Sequence, residues 1–341
     1  VIRCFVQNAG IFRFIKVDFS DARGYTERRD IWDRRKSGRE YNNTGEERKN
    51  MGFYTIKNGD LSALIVSAGA ELKSLKDCQT GQEYMWNANP QFWKRTSPVL
   101  FPLVGNYKGK ETRYNGHVYT LPQHGFARDM EFELVSLAKD EIWFGLSSNP
   151  DTLRKYPFPF RLEIGYKLKD RCVRVSWRVI NTGKETMYFS IGGHPAFVCP
   201  LKKEDRQEDY FLHFDAPKEV VSRMIGAEGL ATDMLLTYPL EDGYLQITEN
   251  LFDHDALVIE NHQAQSVSLC TPDKKPYVTV SFDAPLFGVW SVPGKSAPFV
   301  CIEPWYGRCD HENFSGTLQE REWGNVLEAQ ETFETAYTIE I

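Results

Sequence analysis

Val173-Arg174-Val175-Ser176-Trp177-Arg178-Val179-Ile180 sets Val173, Val175, Trp177 and Val179 against Arg174, Ser176, Arg178 and Ile180 at alternate positions. A period of two directs one set of side chains to a single face, which is the geometry of a half-buried strand. The period recurs in Val278-Thr279-Val280-Ser281-Phe282 and in Ala336-Tyr337-Thr338-Ile339-Glu340-Ile341. Ile142-Trp143-Phe144-Gly145-Leu146, Phe211-Leu212-His213-Phe214 and Met51-Gly52-Phe53-Tyr54-Thr55-Ile56 read as further short strands. Turn chemistry separates such segments at Asn58-Gly59-Asp60, Asn115-Gly116, Asn181-Thr182-Gly183 and Asp242-Gly243. Helical period is scarce; Asp151-Thr152-Leu153-Arg154-Lys155-Tyr156 suggests one turn of helix with Asp151 as its cap. Many short strands with regular turns predict an all-β chain, a large antiparallel sandwich rather than a doubly wound α/β sheet. No repeat of solenoid or propeller length is visible.

The 341 residues suffice for one large domain or two smaller ones. Charge divides them unevenly. Residues 1–50 carry 12 Lys and Arg against 8 Asp and Glu, leaving 29 basic and 39 acidic residues in the other 291. An acidic body argues against nucleic acid or an anionic membrane as the main partner. Residues 20–50 are dense in charge and poor in aliphatics, so residues 1–50 are expected to be an N-terminal extension, disordered or the product of a misplaced start. The functional domain is then residues 51–341. A regulatory or oligomerising arm is the alternative.

The seven cysteines form no Cys-x-x-Cys pair and are odd in number. Reduced thiols in a cytoplasmic protein are the expectation. No apolar run reaches the length of a membrane span, and no signal pattern opens the chain. The sequons at Asn42 and Asn313 then read as chance. The oligomeric state is not legible.

Several cofactor motifs fail. Gly105-Asn106-Tyr107-Lys108-Gly109-Lys110 has three residues between its glycines, and Glu111 follows where a phosphate loop needs Ser or Thr. No Gly-x-Gly-x-x-Gly follows a strand, and no Gly-x-Ser-x-Gly elbow occurs. His254 and His262 lie eight apart, without zinc-helix spacing.

Three strings remain: Gln123-His124-Gly125-Phe126-Ala127-Arg128, Gly192-Gly193-His194-Pro195-Ala196-Phe197 and Ile302-Glu303-Pro304-Trp305. The glycines before His194 allow unusual φ or close backbone approach, and Pro195 restrains His194 to an extended conformation. Such an imidazole suits proton transfer, although a core histidine bonded to a carbonyl stays open. His124 beside Gly125 is a weaker signal, because a turn His beside Gly is common. Glu303, between Val300-Cys301-Ile302 and Trp305-Tyr306 at the end of a buried strand, must meet a cation or a ligand. Two imidazoles and a carboxylate, brought together, form an acid and a base that work near neutral pH.

In this order the three strings resemble the signature of the aldose 1-epimerase (galactose mutarotase-like) family, and within it the LacX-type branch. Pro98-Val99-Leu100-Phe101-Pro102-Leu103-Val104-Gly105, and Asn115-Gly116 followed by Tyr119, Leu121 and Pro122, fit that branch too. The resemblance runs from about Met51 to the C-terminus. It implies a galactose mutarotase-like β-supersandwich that interconverts the α and β anomers of an aldohexose or hexose 6-phosphate. By match of motif, His194 is the acid at the ring oxygen, Glu303 the base at the anomeric hydroxyl, and His124 a hydrogen-bonding partner near the ring oxygen. Only protons move, so no cofactor and no metal are expected; the partner is a monosaccharide or sugar phosphate. Trp305 offers a flat face to the sugar or packs in the core. Asp255, with Asp253 as competitor, matches a sugar-binding carboxylate. Arg128 and Arg95 suit phosphate or vicinal hydroxyls, unless Arg128 pairs with a carboxylate such as Glu303. Asn106 is a substrate-facing candidate where many relatives carry Arg. The rivals are a catalytically silent sugar-binding or sensing protein, and a glycoside hydrolase or lyase, for which Asp310 is the nearby second carboxylate.

Overall fold

The computed structural model describes residues 52–216 and 218–341, plus two-residue strands at Gln7–Asn8 and Ile11–Phe12 that pair antiparallel. The expectations for residues 1–50 otherwise lie outside the described residues. Residues 49–341 form one unit, and it is built almost wholly of antiparallel strands.

The strand Cys172–Asn181 behaves as its period demands: Val173, Val175, Trp177 and Val179 are buried. It lies between Phe160–Lys169 and Thr332–Glu340, setting Val175 opposite Tyr166 on one side and Tyr337 on the other. This places it inside a nine-stranded antiparallel sheet that ends at Tyr244–Gln246 and Glu133–Leu137. Each fully buried Val or aromatic of this kind contributes about 1.5–3 kcal/mol of transfer free energy.

A second, eight-stranded sheet runs Ala231–Pro239, Glu219–Ile225, Leu257–Ile259, Leu286–Trp290, Phe299–Tyr306, Ile191–Gly193 and Val99–Leu100, with Ala196–Val198 also paired to Phe299–Tyr306. Side chains of both sheets meet in one core: Val173, Val175 and Trp177 from the first, Leu257, Phe287, Val289, Val300 and Ile302 from the second. The alternate residues of the second sheet, Phe299, Cys301 and Trp305 among them, are buried in separate clusters. Phe299–Tyr306 is therefore covered on both faces, and its near-continuous apolar run follows from that.

The short helix is Pro150–Lys155, and its cap differs from expectation. Asn149, not Asp151, is the N-cap: its side chain accepts from the Asp151 and Thr152 amides, and the Thr152 hydroxyl accepts from the Asn149 amide. Pro150 favours the first helical position, which puts the cap on the residue before it, two earlier than expected. Among the described residues, no helix is long and apolar enough to cross a membrane.

Candidate active site

The catalytic candidates are positioned by one ladder. Gly192 pairs with Trp305 and Ala196 with Cys301 on the same strand. Carrying that register through the gap between them sets His194 opposite Glu303. Pro195 lacks an amide N–H, so the ladder opens locally at this point. The His194 amide instead donates to the Pro98 carbonyl at 3.1 Å, tying the site to the Pro98–Gly105 segment. Glu303 thus stands inside the strand Phe299–Tyr306, not at its end, with Gly288 opposite on the other side.

Gly192 is needed for close approach, not for unusual φ. A Cβ there would fall 2.6 Å from Trp305 Cδ1, so the glycine lets the indole lie against the sheet. Gly125 has the other role: its φ is +71°, and a Cβ would meet the Phe101 carbonyl oxygen at 2.3 Å. That turn presents His124, itself at φ +65°.

His194 and Glu303 are 7% and 1% exposed. Nδ1 of His194 is 3.3 Å from Glu303 Oε1, without hydrogen-bond alignment, and both Nδ1 and Glu303 Oε2 are buried without a hydrogen-bond partner. Trp93 stacks on the His194 ring at 4.7 Å and 27°, and Trp290 meets it edge-on at 5.5 Å. His124 approaches from another side, with ring centres 5.7 Å apart. The Gly105 amide donates to His124 Nδ1 at 3.0 Å. That nitrogen is therefore unprotonated, and Nε2 of neutral His124 carries the hydrogen.

These groups line a pocket of about 190 Å³ together with Gln123, Arg128, Asp255, Trp305 and Arg308. Burial dominates its electrostatics. Desolvation holds the Glu303 carboxyl well above the usual carboxylate range, and the negative Asp255 adds to the rise. Burial, helped by the positive Arg128, depresses His194 to about 3. His124 is held well below its ordinary value by burial, then by His194 and the two arginines. Desolvation also raises Asp255.

The remaining candidates divide. Trp305 lines the pocket and also packs on Leu100, Val104, Val258 and Leu286. Asp255 lines the pocket; Asp253 does not. Arg128 lines it too, donating Nη2 to the Gln123 carbonyl at 2.6 Å while Nε is buried without a hydrogen-bond partner, 3.9 Å from Asp129 Oδ2. It makes no ion pair with Glu303. Burial and the neighbouring Arg95 lower Arg128 to about 10.

Arg95 is outside the pocket lining, paired with Asp129 at 2.8 Å. The substrate-facing expectation for Asn106 is corrected: its amide donates to the Glu228 carbonyl at 3.0 Å, bracing a turn, and only its neighbour Gly105 reaches the pocket. Asp310 is likewise outside the pocket, bonded to Arg321 at 2.6 Å and to the Lys108 amide at 2.9 Å.

Trp93, Trp290 and Arg308 were not singled out from sequence. Arg308 is 2% exposed and held by Glu260 at 2.5 Å and by Glu322. Its place two residues after Tyr306, downstream of the Ile302–Trp305 string, was the available signal. Trp93 lies five residues before the Pro98 segment, and nothing local distinguishes it from core.

A family model described as aldose 1-epimerase matches residues 52–320. The chain belongs to the aldose 1-epimerase family. It is 33% identical over 282 residues to the plasmid-encoded protein LacX of Lactococcus lactis subsp. lactis, covering 80% of this chain and 91% of that protein. A solved galactose mutarotase related enzyme from Lactobacillus acidophilus is 35% identical, with a TM-score of 0.80 over 85% of this chain and 97% of that one. A galactose mutarotase-like protein from Lactobacillus casei is 30% identical, with a TM-score of 0.79 over 85% and 99%. The fold is the galactose mutarotase-like antiparallel β-sandwich, and family and fold support a mutarotase-type function on a sugar.

Proposed function

We propose that this aldose 1-epimerase family member interconverts the α and β anomers of an aldohexose or its 6-phosphate, with Glu303 and His194 moving the protons. The observation that carries this reading is the unpartnered acid–base pair, with Nδ1 and Oε1 3.3 Å apart in a pocket of about 190 Å³. A buried, half-satisfied carboxylate and imidazole cost stability, and such groups concentrate where ligands are handled.

The depressed His194 pKa means that an imidazolium is scarce near neutrality, so the proton for the ring oxygen comes from neutral imidazole. Ionised Glu303 takes the proton of the anomeric hydroxyl and passes it to Nδ1, as Nε2 gives its own hydrogen to the ring oxygen. The C1–O5 bond breaks and the aldehyde forms. Glu303 ends ionised, and His194 ends with its hydrogen on Nδ1. After rotation about C1–C2, closure runs the same route backward and restores the first tautomer. The route forms no imidazolium at any step, which suits the depressed His194. His124 donates Nε2–H to a sugar oxygen and Trp305 supplies an apolar face. Arg128 and Asp255 hold hydroxyls, or in the case of Arg128 a phosphate. We further assign this activity to residues 51–341, since the family match begins at residue 52.

Anomer exchange by NMR or polarimetry tests the proposal on glucose, galactose and their 6-phosphates, with and without residues 1–50. Catalysed exchange that survives the deletion is expected. Exchange no faster than buffer for all four sugars would remove the enzyme reading for them in favour of a silent sugar-binding protein. Release of monosaccharide from an oligosaccharide would point to hydrolysis.

A further inference from the structure

Cys301 is two residues from Glu303 on one strand, so both side chains project from the same face. Its cross-strand partner on one side is Ala196, small enough to leave the thiol beside His194. The Cys301 thiol, the His194 imidazole and the Glu303 carboxylate each offer one donor atom, and these atoms lie within 4.8 Å of one another. We propose that His194 Nδ1, Cys301 Sγ and the Glu303 carboxylate form an inhibitory site for a thiophilic divalent cation of the Zn²⁺ class, with a water or sugar oxygen from the pocket as fourth ligand.

Three features carry this. The donor set is nitrogen, thiolate and carboxylate, which Zn²⁺ accepts in tetrahedral geometry. Bond lengths of about 2.0–2.3 Å set donors about 3.3–3.8 Å apart. The His194–Glu303 separation of 3.3 Å already matches, so only the thiol must close in. His194 Nδ1 and Glu303 Oε2 are buried without partners, and a cation would satisfy both. Charge also balances. Zn²⁺ displaces the thiol proton to solvent, and its two positive charges are matched by one thiolate and one carboxylate.

The consequence is occlusion: the cation takes the Nδ1 lone pair and the carboxylate that the proton route uses. This inhibition rests on the acid–base reading given above; binding itself does not. Both parts are tested on the full chain in a background carrying C4S, C78S and C172S, which removes the exposed Cys78, the half-buried Cys172 and Cys4 as competing thiols. Co²⁺ serves as the spectroscopic probe. One Co²⁺ per chain is expected, with tetrahedral d–d absorption and a thiolate-to-cobalt charge-transfer band that Zn²⁺ abolishes. Cys301→Ala and Cys301→Ser should remove the band and weaken Zn²⁺ binding by on the order of 100-fold or more, with circular dichroism reporting the fold of each. Zn²⁺ should inhibit anomer exchange, its midpoint shifting by the same factor in both variants when each is referred to its own metal-free rate. Absence of the charge-transfer band, its survival in Cys301→Ala, or a loss of affinity under tenfold would overturn the site. If no sugar shows catalysed exchange, the cobalt spectrum still decides the metal site separately.

Discussion

Glu303→Gln should raise stability and lower activity in the same molecule. The wild-type carboxylate is 1% exposed, has one oxygen without a partner, and feels the negative Asp255. Glutamine keeps the shape and removes the charge, and its amide N–H can donate to His194 Nδ1, which also lacks a partner. Relieving such buried unsatisfied groups is worth about 1–3 kcal/mol. For a unit spanning residues 49–341, an unfolding entropy of about 2.1 cal/mol/K per residue converts this to a rise of roughly 2–5 °C in Tm. The effect must depend on pH. Because the folded-state pKa of Glu303 is raised, the acid is protonated in both folded and unfolded chains below pH about 4.5, and burial there carries no charge penalty. The wild-type penalty grows as pH rises through the unfolded-state value, and it is complete above the folded-state value. The gain in Tm for Glu303→Gln should therefore be small at pH 4 and largest above neutrality. Anomer exchange should fall at least 100-fold, the scale of a lost general base. Circular dichroism melts at several pH values, with NMR exchange on the same samples, test both halves. A lowered Tm near neutrality, or exchange within threefold of wild type, would refute the reasoning.

His194→Asn should reduce exchange by about two decades with an unchanged far-ultraviolet spectrum, and near-native turnover would free His194 from its role. The acid limb of kcat/KM should lie above the ordinary carboxylate range, since the proposed route needs ionised Glu303 and activity would be lost as pH falls through its raised pKa. Asp255→Asn removes one cause of that rise and should move the limb to lower pH while KM increases; an unmoved limb would show that Asp255 does not act on Glu303. Gly125→Ala combines φ +71° with a Cβ 2.3 Å from the Phe101 carbonyl oxygen. It should cost about 2–4 kcal/mol by urea denaturation, and a loss under 1 kcal/mol would mean that the turn relaxes freely.

How much of this was legible depended on whether the cause was local. The period of two in Cys172–Asn181 is local, because the pleat alone decides which side chains are buried, and it named the fold class correctly. His194 and Glu303 were visible because Gly, Pro and aromatic neighbours mark close backbone approach and expensive burial within a few residues. Trp93 and Trp290 left no such mark. They meet His194 only after separate segments are brought together, and an aromatic bound for a pocket wall looks like one bound for the core. Asn106 misled for a related reason: it adjoins the pocket-lining Gly105, but its side chain is spent on the Glu228 carbonyl, and a turn 122 residues distant leaves no trace beside it. The helix cap slipped by two residues because the position of Pro150 outweighed the acidic Asp151.

The ladder that faces His194 toward Glu303 has an architectural corollary. The spacing of the two proposed proton carriers is set by main-chain rungs on either side, Gly192 with Trp305 and Ala196 with Cys301, whereas Arg128 and Asp255 come from connections outside the strands. On the proposed reading, the chemistry is mounted on the chassis and the choice of sugar on detachable fittings. Diversification within this scaffold can proceed by exchanging those connections with the proton route untouched, whereas a one-rung slip would turn the donor and the acceptor to opposite sides of the sheet.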